Sequence, residues 1–423
     1  MKKINLNTWK VVKLLIVVFL CFLSINYCFA KNEPFLIQKP NRYTLNDLTN
    51  NTNQIKDNYI LFDCLYDSSV ESIDAYSLFL HMKEKGVNVY YVSLKDNQVY
   101  KELESKNKLD KIIGIEKNIR QHPKEFINSI SHILPKTKAV ITSFEIGTNL
   151  DYFFNNIPSL EYIFIQHGQI YLKESFLAEG YLNSNLFDKI LISSSYEAEI
   201  LKKYGWKENQ FIKSGLPRYD LLKNTLKSDE KSIFIMFTWR KTNPNIFTRS
   251  QYFNKINSLI SNDEFINFLK SNNIKVYFTA HHALNEVGNI NLRTHSSYIK
   301  NIKATEISKY IKKSSLLLTD ISSIAFDFIF QNKPVILYGL DKGDKFLEKN
   351  QYNDLELLKE KKKTFPNIFF DEKDVIEKIK YYVKNNFTVE KEFLDIYNSF
   401  FFIKDNIREN LSVQIENIIN NKK

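Results

Sequence analysis

Residues 314–341 constrain the fold more than any other part of the sequence. The apolar run Leu316-Leu317-Leu318 predicts a buried strand, and Thr319-Asp320 ends it before a polar turn. A helical apolar segment over 324–330 comes next, and a turn with a proline separates it from a second strand over 335–338. Strand, turn, helix and strand in this order form a βαβ unit, which places two parallel strands in one sheet.

The turn of this unit carries two adjacent serines, Ser322 and Ser323. It lies at the carboxyl end of a strand and the amino end of a helix, where free backbone N–H groups and the helix dipole favour an anion. Two hydroxyls there can donate to phosphate oxygens. The alternative is an N-capped helix that binds nothing, because Asp and Ser are common at such caps.

Strands and helices alternate through the rest of the chain. This alternation predicts an α/β fold with parallel sheets. The predicted strands are 59–64, 87–92, 138–142, 162–165, 187–193, 232–237 and 276–279. The predicted helices are 68–85, 122–134, 196–204, 257–272, 306–313, 372–383 and 390–420.

Length and charge limit the classes of protein that fit. A chain of 423 residues that is 43% hydrophobic is long enough for two domains, each with its own core. The net charge of +11 suits anionic partners such as nucleotides, phosphate polymers or anionic lipid. No basic and aromatic nucleic-acid motif is present, so we expect no nucleic acid partner. The cysteines Cys21, Cys28 and Cys64 show neither a disulfide framework nor zinc spacing.

Residues 1–31 form a hydrophobic segment, which we interpret as a membrane anchor or a signal-like sequence. Lysines precede an apolar run over 14–23, and the pattern ends at Cys28-Phe29-Ala30, as in a secretory signal peptide. A cleaved signal would export the protein, whereas an interfacial anchor would hold it at the membrane surface. We predict membrane association at the cytoplasmic face, and export remains an alternative. Residues 32–57 are polar and predict a linker.

Gln166-His167-Gly168 directly follows the predicted strand 162–165. A histidine just past a strand end lies on the edge of an α/β sheet where ligands bind. Imidazole titrates near neutrality and can accept a proton from a hydroxyl. The alternative is an ordinary loop histidine beside a glycine.

Basic and polar residues also follow two strands of the second half. Thr238-Trp239-Arg240 comes after 232–237, and an arginine beside a hydroxyl suits bidentate phosphate recognition. His281 and His282 follow 276–279. No third His, Cys or suitably spaced carboxylate accompanies them, so we predict no metal site. Earlier in the chain, Arg218 lies two residues before Asp220; the two side chains either pair with each other or leave Arg218 to bind phosphate.

The polar turn lies within a longer motif. Thr319-Asp320-Ile321-Ser322-Ser323-Ile324-Ala325-Phe326-Asp327 is followed after five residues by Lys333-Pro334. This pattern resembles the C-terminal motif of the CDP-glycerol:polyol-phosphate transferases, the family of teichoic-acid polymerases, primases and related capsule enzymes. Gln166-His167-Gly168 and the segment Gly215-Leu216-Pro217-Arg218-Tyr219-Asp220 are also similar to that family. Thr238-Trp239-Arg240 matches too, although Phe237 replaces the family's proline.

The resemblance implies a GT-B fold, with two Rossmann-like domains that face a cleft. It places an acceptor domain at 58–225, a CDP-alcohol-binding domain at 230–385 and C-terminal helices at 386–423. The implied reaction transfers an alcohol phosphate from a CDP-alcohol to a hydroxyl of a glycan or a lipid-linked polyol-phosphate acceptor, and releases CMP. No metal and no cofactor are implied.

The resemblance also implies roles for individual residues. His167 is the expected catalytic base, and His281 and His282 are the further catalytic candidates. The expected ligands of the CDP-alcohol are Arg218, Thr238, Arg240, Thr319, Asp320, Ser322, Ser323, Asp327 and Asp341. Two other functions stay open from the sequence: a GT-B glycosyltransferase that uses a nucleotide sugar, and an exported two-domain binding protein.

Overall fold

The computed structural model describes residues 58–62, 74–116, 122–145, 148–174, 177, 182–223, 231–238, 249–280, 297–341 and 365–421. These ranges belong to one compact unit, Leu48–Lys423. The predicted hydrophobic segment 1–31 and linker 32–57 lie outside the described residues, as do Cys64, Arg240, His281 and His282. Among the residues that are described, no helix has the length and apolar character needed to cross a membrane.

The first half of the chain builds a seven-stranded sheet. Its strands are β1 (Asn58–Phe62), β2 (Val89–Leu94), β3 (Ile112–Ile115), β4 (Thr137–Thr142), β5 (Glu161–Phe164), β6 (Lys189–Ile192) and β7 (Phe211–Lys213). They lie in the order β3-β2-β1-β4-β5-β6-β7, and every neighbouring pair is parallel. The strand order therefore reverses between β1 and β4.

The second half builds a six-stranded sheet with the same kind of order. Its strands are β8 (Ser232–Phe237), β9 (Lys275–Ala280), β10 (Ile299–Asn301), β11 (Leu316–Thr319), β12 (Val335–Tyr338) and β13 (Ile368–Phe369). They lie in the order β10-β9-β8-β11-β12-β13, again all parallel. Here the order reverses between β8 and β11.

Helices connect the strands and cover the sheets. In the first half they are α1 (Asp74–Glu84), α2 (Gln98–Ser105), α3 (Pro123–Ile130), α4 (Thr148–Asn155), α5 (Ser195–Lys203) and α6 (Tyr219–Lys223). In the second half they are α7 (Gln251–Ser261), α8 (Asp263–Ser271), α9 (Ile307–Lys313), α10 (Ile324–Phe330), α11 (Glu372–Lys384), α12 (Lys391–Ser399) and α13 (Ile407–Asn421). The expected mixed α/β fold with parallel sheets is confirmed.

Strand β8 shows why these strands are apolar throughout. Ile233 and Ile235 face one hydrophobic cluster, whereas Phe234 and Met236 face another on the opposite side of the sheet. A parallel sheet with helices on both faces buries both sets of side chains, so its strands do not alternate between apolar and polar residues. The predicted strand 232–237 is confirmed, as is the unit of strands β11 and β12 around α10.

Two of the predicted helices are each divided in the structure. The predicted helix 257–272 is two helices, α7 and α8, because Asn262 between them has extended backbone angles and caps α8 through its side chain at Phe265 N. The predicted segment 390–420 contains α12 and α13, separated by a turn in which Asn406 has a left-handed φ of 51°. Asn262 ends the first helix because its short side chain bonds to nearby backbone, whereas Asn406 belongs to the residue types that adopt a left-handed φ most readily.

The C-terminal segment contacts both sheets. The Tyr397 hydroxyl accepts a hydrogen bond from Val335 N of β12 at 3.3 Å. The backbone N–H of Phe402 donates to the carbonyl of Ser193, just after β6, at 2.7 Å. Helix α12 and the turn that follows it are thus bonded to both halves of the molecule.

Candidate active site

The two reversals of strand order mark where a ligand can bind in a molecule of this topology. In open α/β sheets, ligands bind outside the carboxyl ends of the strands at the point where the order reverses. At the second sheet this point lies between β8 and β11. Thr238 follows β8, and its backbone N–H and hydroxyl both donate to Oδ1 of Asp320, at 2.9 and 2.8 Å. The ends of β8 and β11 are therefore bound to each other.

At the first sheet, His167 lies just past the end of β5. Gln166 before it has a left-handed φ of 60°, which is unusual for a residue with a long side chain and costs on the order of 1–2 kcal/mol. The left-handed residue turns the chain sharply at the strand end. His167 Nδ1 lies 2.8 Å from the carbonyl oxygen of Ser143, directly after the neighbouring strand β4. A carbonyl only accepts, so Nδ1 carries the proton and Nε2 has the free lone pair.

The surroundings of His167 favour its neutral form. Residue His167 is exposed to solvent in the described structure, although the surrounding protein reduces the hydration of its ring. This desolvation lowers the pKa of His167 to about 4, and the positive charges of Lys173 and Arg218 act in the same direction. Any pKa below 6.5 leaves the imidazole neutral at pH 7. His167 is therefore ready to accept a proton at Nε2.

A buried carboxyl, Glu197 of α5, fixes the turn that carries His167. Its Oε1 accepts from Ile170 N at 3.0 Å and from Gln166 Nε2 at 3.4 Å. Its Oε2 accepts from Ser193 N at 2.7 Å. Burial raises the pKa of Glu197 to about 7, although these hydrogen bonds oppose the shift. Glu197 thus binds both ends of the His167 turn to the end of β6.

The His167 turn lies against the serine turn of the second sheet. Gly168 has no room for a side chain, because a Cβ there would lie 2.7 Å from Cβ of Ser323 and still closer to its hydroxyl oxygen. A Cβ atom in a protein essentially never approaches a non-bonded atom so closely. The absence of a side chain at Gly168 is what lets the two turns meet.

The residues of the serine turn differ in how their side chains are used. Ser323 is the N-cap residue of α10, but its side chain makes no capping hydrogen bond. Within the described ranges, neither Ser322 Oγ nor Ser323 Oγ is hydrogen-bonded to protein. Thr319 Oγ1, in contrast, donates to the carbonyl of Met236 on β8. Asp341, beyond the end of β12, is buried.

Arg218 forms a buried ion cluster with two aspartates from different parts of the chain. Its Nε and Nη2 donate to Oδ1 of Asp327 in α10, at 3.0 and 2.9 Å. Its Nη1 pairs with Asp74 at the start of α1, and also donates to the carbonyl of His167 at 3.3 Å. The cluster therefore links the first sheet's helix α1, the His167 turn and the second sheet's helix α10.

The alternative that Arg218 pairs with Asp220 is wrong. Asp220 accepts instead from Ile407 N at 3.0 Å and Arg408 N at 2.9 Å, at the start of α13. The donors of Arg218 point to Asp74, Asp327 and His167. Its predicted role as a phosphate ligand, and that of Asp327, stay predictions that would require these ion pairs to rearrange.

The two aspartates share one guanidinium, so one negative charge is in excess inside the protein. Burial raises the pKa of Asp327 to about 6 even though Arg218 opposes the shift, and the charge of Asp74 raises it further. Burial also raises the pKa of Asp74 against the effect of Arg218. The cluster thus takes up a proton more readily than an exposed aspartate pair would.

Three of the predicted site residues, Arg240, His281 and His282, lie outside the described residues, and their roles stay predictions. Within the ranges that are described, no group of three or more His, Cys, Asp or Glu side chains could hold a metal ion. Sequence reasoning missed Asp74 and Glu197 as parts of the site. The one signal for Glu197 was its place in the first turn of a helix that begins at a strand end.

Comparison with known proteins identifies the family. The family model of CDP-Glycerol:Poly(glycerophosphate) glycerophosphotransferase matches residues 46–415. The minor teichoic acid biosynthesis protein GgaB of Bacillus subtilis (strain 168) is 29% identical over 374 residues, which cover 84% of this chain and 39% of GgaB. The chain spans between 39% and 58% of the length of the curated relatives that it matches.

Solved structures show the same fold at low identity. The wall teichoic acid polymerase TagF superposes with a TM-score of 0.55 at 16% identity, over 86% of this chain and 90% of the TagF chain. A putative UDP-N-acetylglucosamine 2-epimerase from Listeria monocytogenes reaches 0.57 at 12% identity, over 86% of this chain and 97% of its own. The fold alone therefore does not single out one chemistry. The match of the family model over most of the chain shows the family: the chain belongs to the CDP-glycerol:poly(glycerophosphate) glycerophosphotransferase family.

Proposed function

We propose that this chain transfers glycerol phosphate, or a related polyol phosphate, from a CDP-alcohol to a hydroxyl of a cell-surface glycan or lipid-linked acceptor. The observation that carries the proposal is the contact between the His167 turn and the serine turn across the two sheets. It brings the turn that carries the neutral imidazole against the turn that carries two hydroxyls with no protein partner in the described ranges. Family membership and the similarity to a teichoic acid biosynthesis protein support this choice of substrates.

The proposed reaction is a phosphoryl transfer in which the protein positions groups and stabilises charge. The acceptor oxygen attacks the β-phosphorus of the CDP-alcohol, and its proton passes to His167 Nε2. The new oxygen–phosphorus bond forms as the bond between the β-phosphorus and the bridging oxygen breaks, so CMP leaves with that oxygen. Ser322 and Ser323 donate to the diphosphate oxygens, while Thr238, Thr319 and Asp320 hold the strand ends beneath them.

The proposed architecture is a GT-B arrangement. Residues 58–225 form a Rossmann-like acceptor domain, residues 230–385 form a Rossmann-like domain for the CDP-alcohol, and the two face a cleft. The helices of 386–423 join them. The matching strand orders of the two sheets and the similarity to the TagF fold support this proposal. Asp341, at the carboxyl edge of the second sheet, is the proposed ligand of the ribose.

We also propose that the chain works at the cytoplasmic face of the membrane, where cytidine nucleotides are made. The net charge of +11 and the hydrophobic segment 1–31 support this location. The deciding measurement is flotation of the purified chain with anionic vesicles, compared with a variant that begins at residue 32. Equal flotation of both proteins would show that residues 1–31 are not needed for membrane binding.

Replacement of His167 tests the catalytic assignment. We expect His167→Ala to lower the rate of CMP release from CDP-glycerol by about 10²–10⁴-fold, because the acceptor loses its general base. The assay is CMP formation with a panel of CDP-alcohols, UDP-sugars and GDP-sugars and a polyol-phosphate acceptor. This panel also separates the proposal from a glycosyltransferase.

His132→Ala is the matched control, because His132 is exposed at a distance from both turns along the first sheet. Circular dichroism of both variants checks that the fold is intact. A His167→Ala protein that releases CMP as fast as His132→Ala would refute the base assignment.

A further inference from the structure

Lys173 is a cation near His167 that the proposed mechanism has not yet used. It ends the short 3₁₀ turn Tyr171–Lys173, six residues after His167. Its side chain is partly buried, and within the described part of the chain its ammonium has neither an ion-pair partner nor a hydrogen-bond acceptor. The adjacent acid, Glu174, pairs instead with Lys203 of α5 at 3.0 Å.

The turn that carries Lys173 is fixed against the second sheet. Tyr171 packs edge-on against Phe326 of α10, with ring centroids 6.3 Å apart. At the other end of the same segment, Gly168 contacts Ser323. The segment from Gly168 to Lys173 therefore runs along the serine turn, and Lys173 is placed where both halves contribute to the site.

Two electrostatic effects agree with this placement. The positive charge of Lys173 helps to lower the pKa of His167. Burial lowers the pKa of Lys173 itself, and the negative charge of Asp320 opposes that shift. Lys173 is thus close enough to respond to groups on both sheets. A partly buried ammonium without a partner is costly, and a ligand anion would remove that cost.

We propose that Lys173 binds phosphate oxygens of the substrate beside His167, an inference that rests on the proposed function. When the acceptor oxygen attacks, negative charge is spread over the non-bridging oxygens of the phosphoryl group in transit. An ammonium held beside the base stabilises that charge without rearrangement. The phosphate can belong to the diphosphate of the donor or to a phosphodiester of the acceptor, and the experiment below separates the two.

The test compares Lys173→Met with Lys173→Arg and with the control Lys203→Met. Lys203 is an exposed lysine whose only described ion pair is with Glu174, so its loss has little effect on stability. We expect Lys173→Met to lower kcat/KM for CMP release by about 10²-fold, in the range found for removal of a charge-stabilising donor. Lys173→Arg restores part of the rate, because the charge is kept while the donor geometry changes.

Separate constants identify the source of the phosphate. A lower kcat with unchanged binding of CDP-glycerol assigns Lys173 to the phosphoryl group in transit. A higher Kd for CDP-glycerol in calorimetry assigns it to the donor diphosphate, and a higher KM for the acceptor alone assigns it to the acceptor. If all of these constants stay within twofold of those of Lys203→Met, the proposal is wrong.

Direct binding keeps this inference separate from the proposed function. Calorimetry with inorganic pyrophosphate and with CDP is carried out on the wild type and on both methionine variants. Absence of CMP release from every CDP-alcohol in the wild type would refute the transferase proposal. Weaker binding of these diphosphates to Lys173→Met alone would still support Lys173 as an anion ligand, and equal binding together with unchanged kinetics would overturn it.

Discussion

Glu197 shows how a single buried carboxyl can position the proposed catalytic base, His167, without touching it. It accepts hydrogen bonds from Gln166 and Ile170 on either side of His167, and from Ser193 at the end of β6. The left-handed backbone of Gln166 needs such support, because the conformation is unfavourable on its own. We therefore expect Glu197 to act on catalysis through the position of His167.

Glu197→Gln tests whether the buried carboxyl of Glu197 holds a proton in the folded state. Burial raises the pKa of Glu197 from 4.5 to about 7, so between these pH values the folded state holds a proton that the unfolded state has released. Stability from this group is thus greatest at low pH and falls as pH rises to about 7. We expect the free energy of unfolding of the wild type, minus that of Glu197→Gln, to fall by up to about 3 kcal/mol between pH 5 and pH 8.

The difference between the two proteins is the useful quantity, because His167 has the opposite effect. Its lowered pKa makes folded protein bind fewer protons than unfolded protein, so its contribution rises with pH. His167 is present in both proteins and cancels in the difference. Urea denaturation at several pH values gives both free energies. A difference that does not change with pH would show that Glu197 is ionised throughout.

Sequence reasoning found the residues of the two turns but not those that support them. His167 and the pair Ser322-Ser323 were predicted because a polar residue directly after an apolar strand is visible in the sequence. Asp74 and Glu197 were not predicted as site residues. The partner of Asp74, Arg218, is 144 residues away, and Glu197 contacts Ile170 across 27 residues, so only the folded chain brings them together.

At the scale of elements, the long buried strands were predictable and the short edge strands were not. Strands β8, β11 and β12 are continuous apolar runs, and the predicted bounds agree closely with the structure. The strands β3, β10 and β13 have two to four residues and lie at sheet edges. Edge strands pair on one side only, so a short run with little apolar character suffices and leaves a weak pattern.

The sequence also did not indicate which aromatic rings the C-terminal segment contacts. Phe400, just after α12, lies 5.1 Å from the ring of Tyr171 and 5.2 Å from that of Phe326, measured between centroids. Its side chain is fully buried. One ring therefore touches the turn of Lys173 from the first half and helix α10 from the second half.

Phe400→Ala tests whether this contact stabilises the molecule. We expect the free energy of unfolding to fall by about 3–5 kcal/mol, because a large buried ring is lost and the cavity cannot close fully. Phe402→Ala is the matched control, since Phe402 is 38% exposed two residues later. Thermal and urea unfolding of both variants measure the effect. A similar small loss for both would mean that the C-terminal segment is not tightly packed.

On the scale of the whole molecule, the Arg218 cluster joins the two sheets. Asp74 belongs to a helix of the first sheet and Asp327 to a helix of the second, and Arg218 bonds to both as well as to the carbonyl of His167. The cluster thus connects the relative position of the sheets with the position of His167, the proposed catalytic base. A transfer that needs groups from both halves depends on that connection.

The prediction for this cluster is an order of stability among its variants. Arg218→Met leaves two carboxyls buried without their cation, and we expect a loss of about 3–5 kcal/mol in the free energy of unfolding. Asp327→Asn keeps the pair of Arg218 with Asp74 and removes the excess negative charge, so its loss is smaller. Urea denaturation at pH 8 compares both variants with the wild type.

The same cluster predicts how the loss changes with pH. Without Arg218, the buried carboxyls hold protons more tightly than in the unfolded chain, so acid relieves the unpaired charge. The loss caused by Arg218→Met is therefore smaller at pH 5 than at pH 8, whereas Asp327→Asn, with fewer buried carboxyls to protonate, changes less. An equal loss for both variants at both pH values would contradict this prediction. It would mean that the ion pairs of Arg218 do not hold the two sheets together, and that the aromatic contacts of Phe400 do so instead.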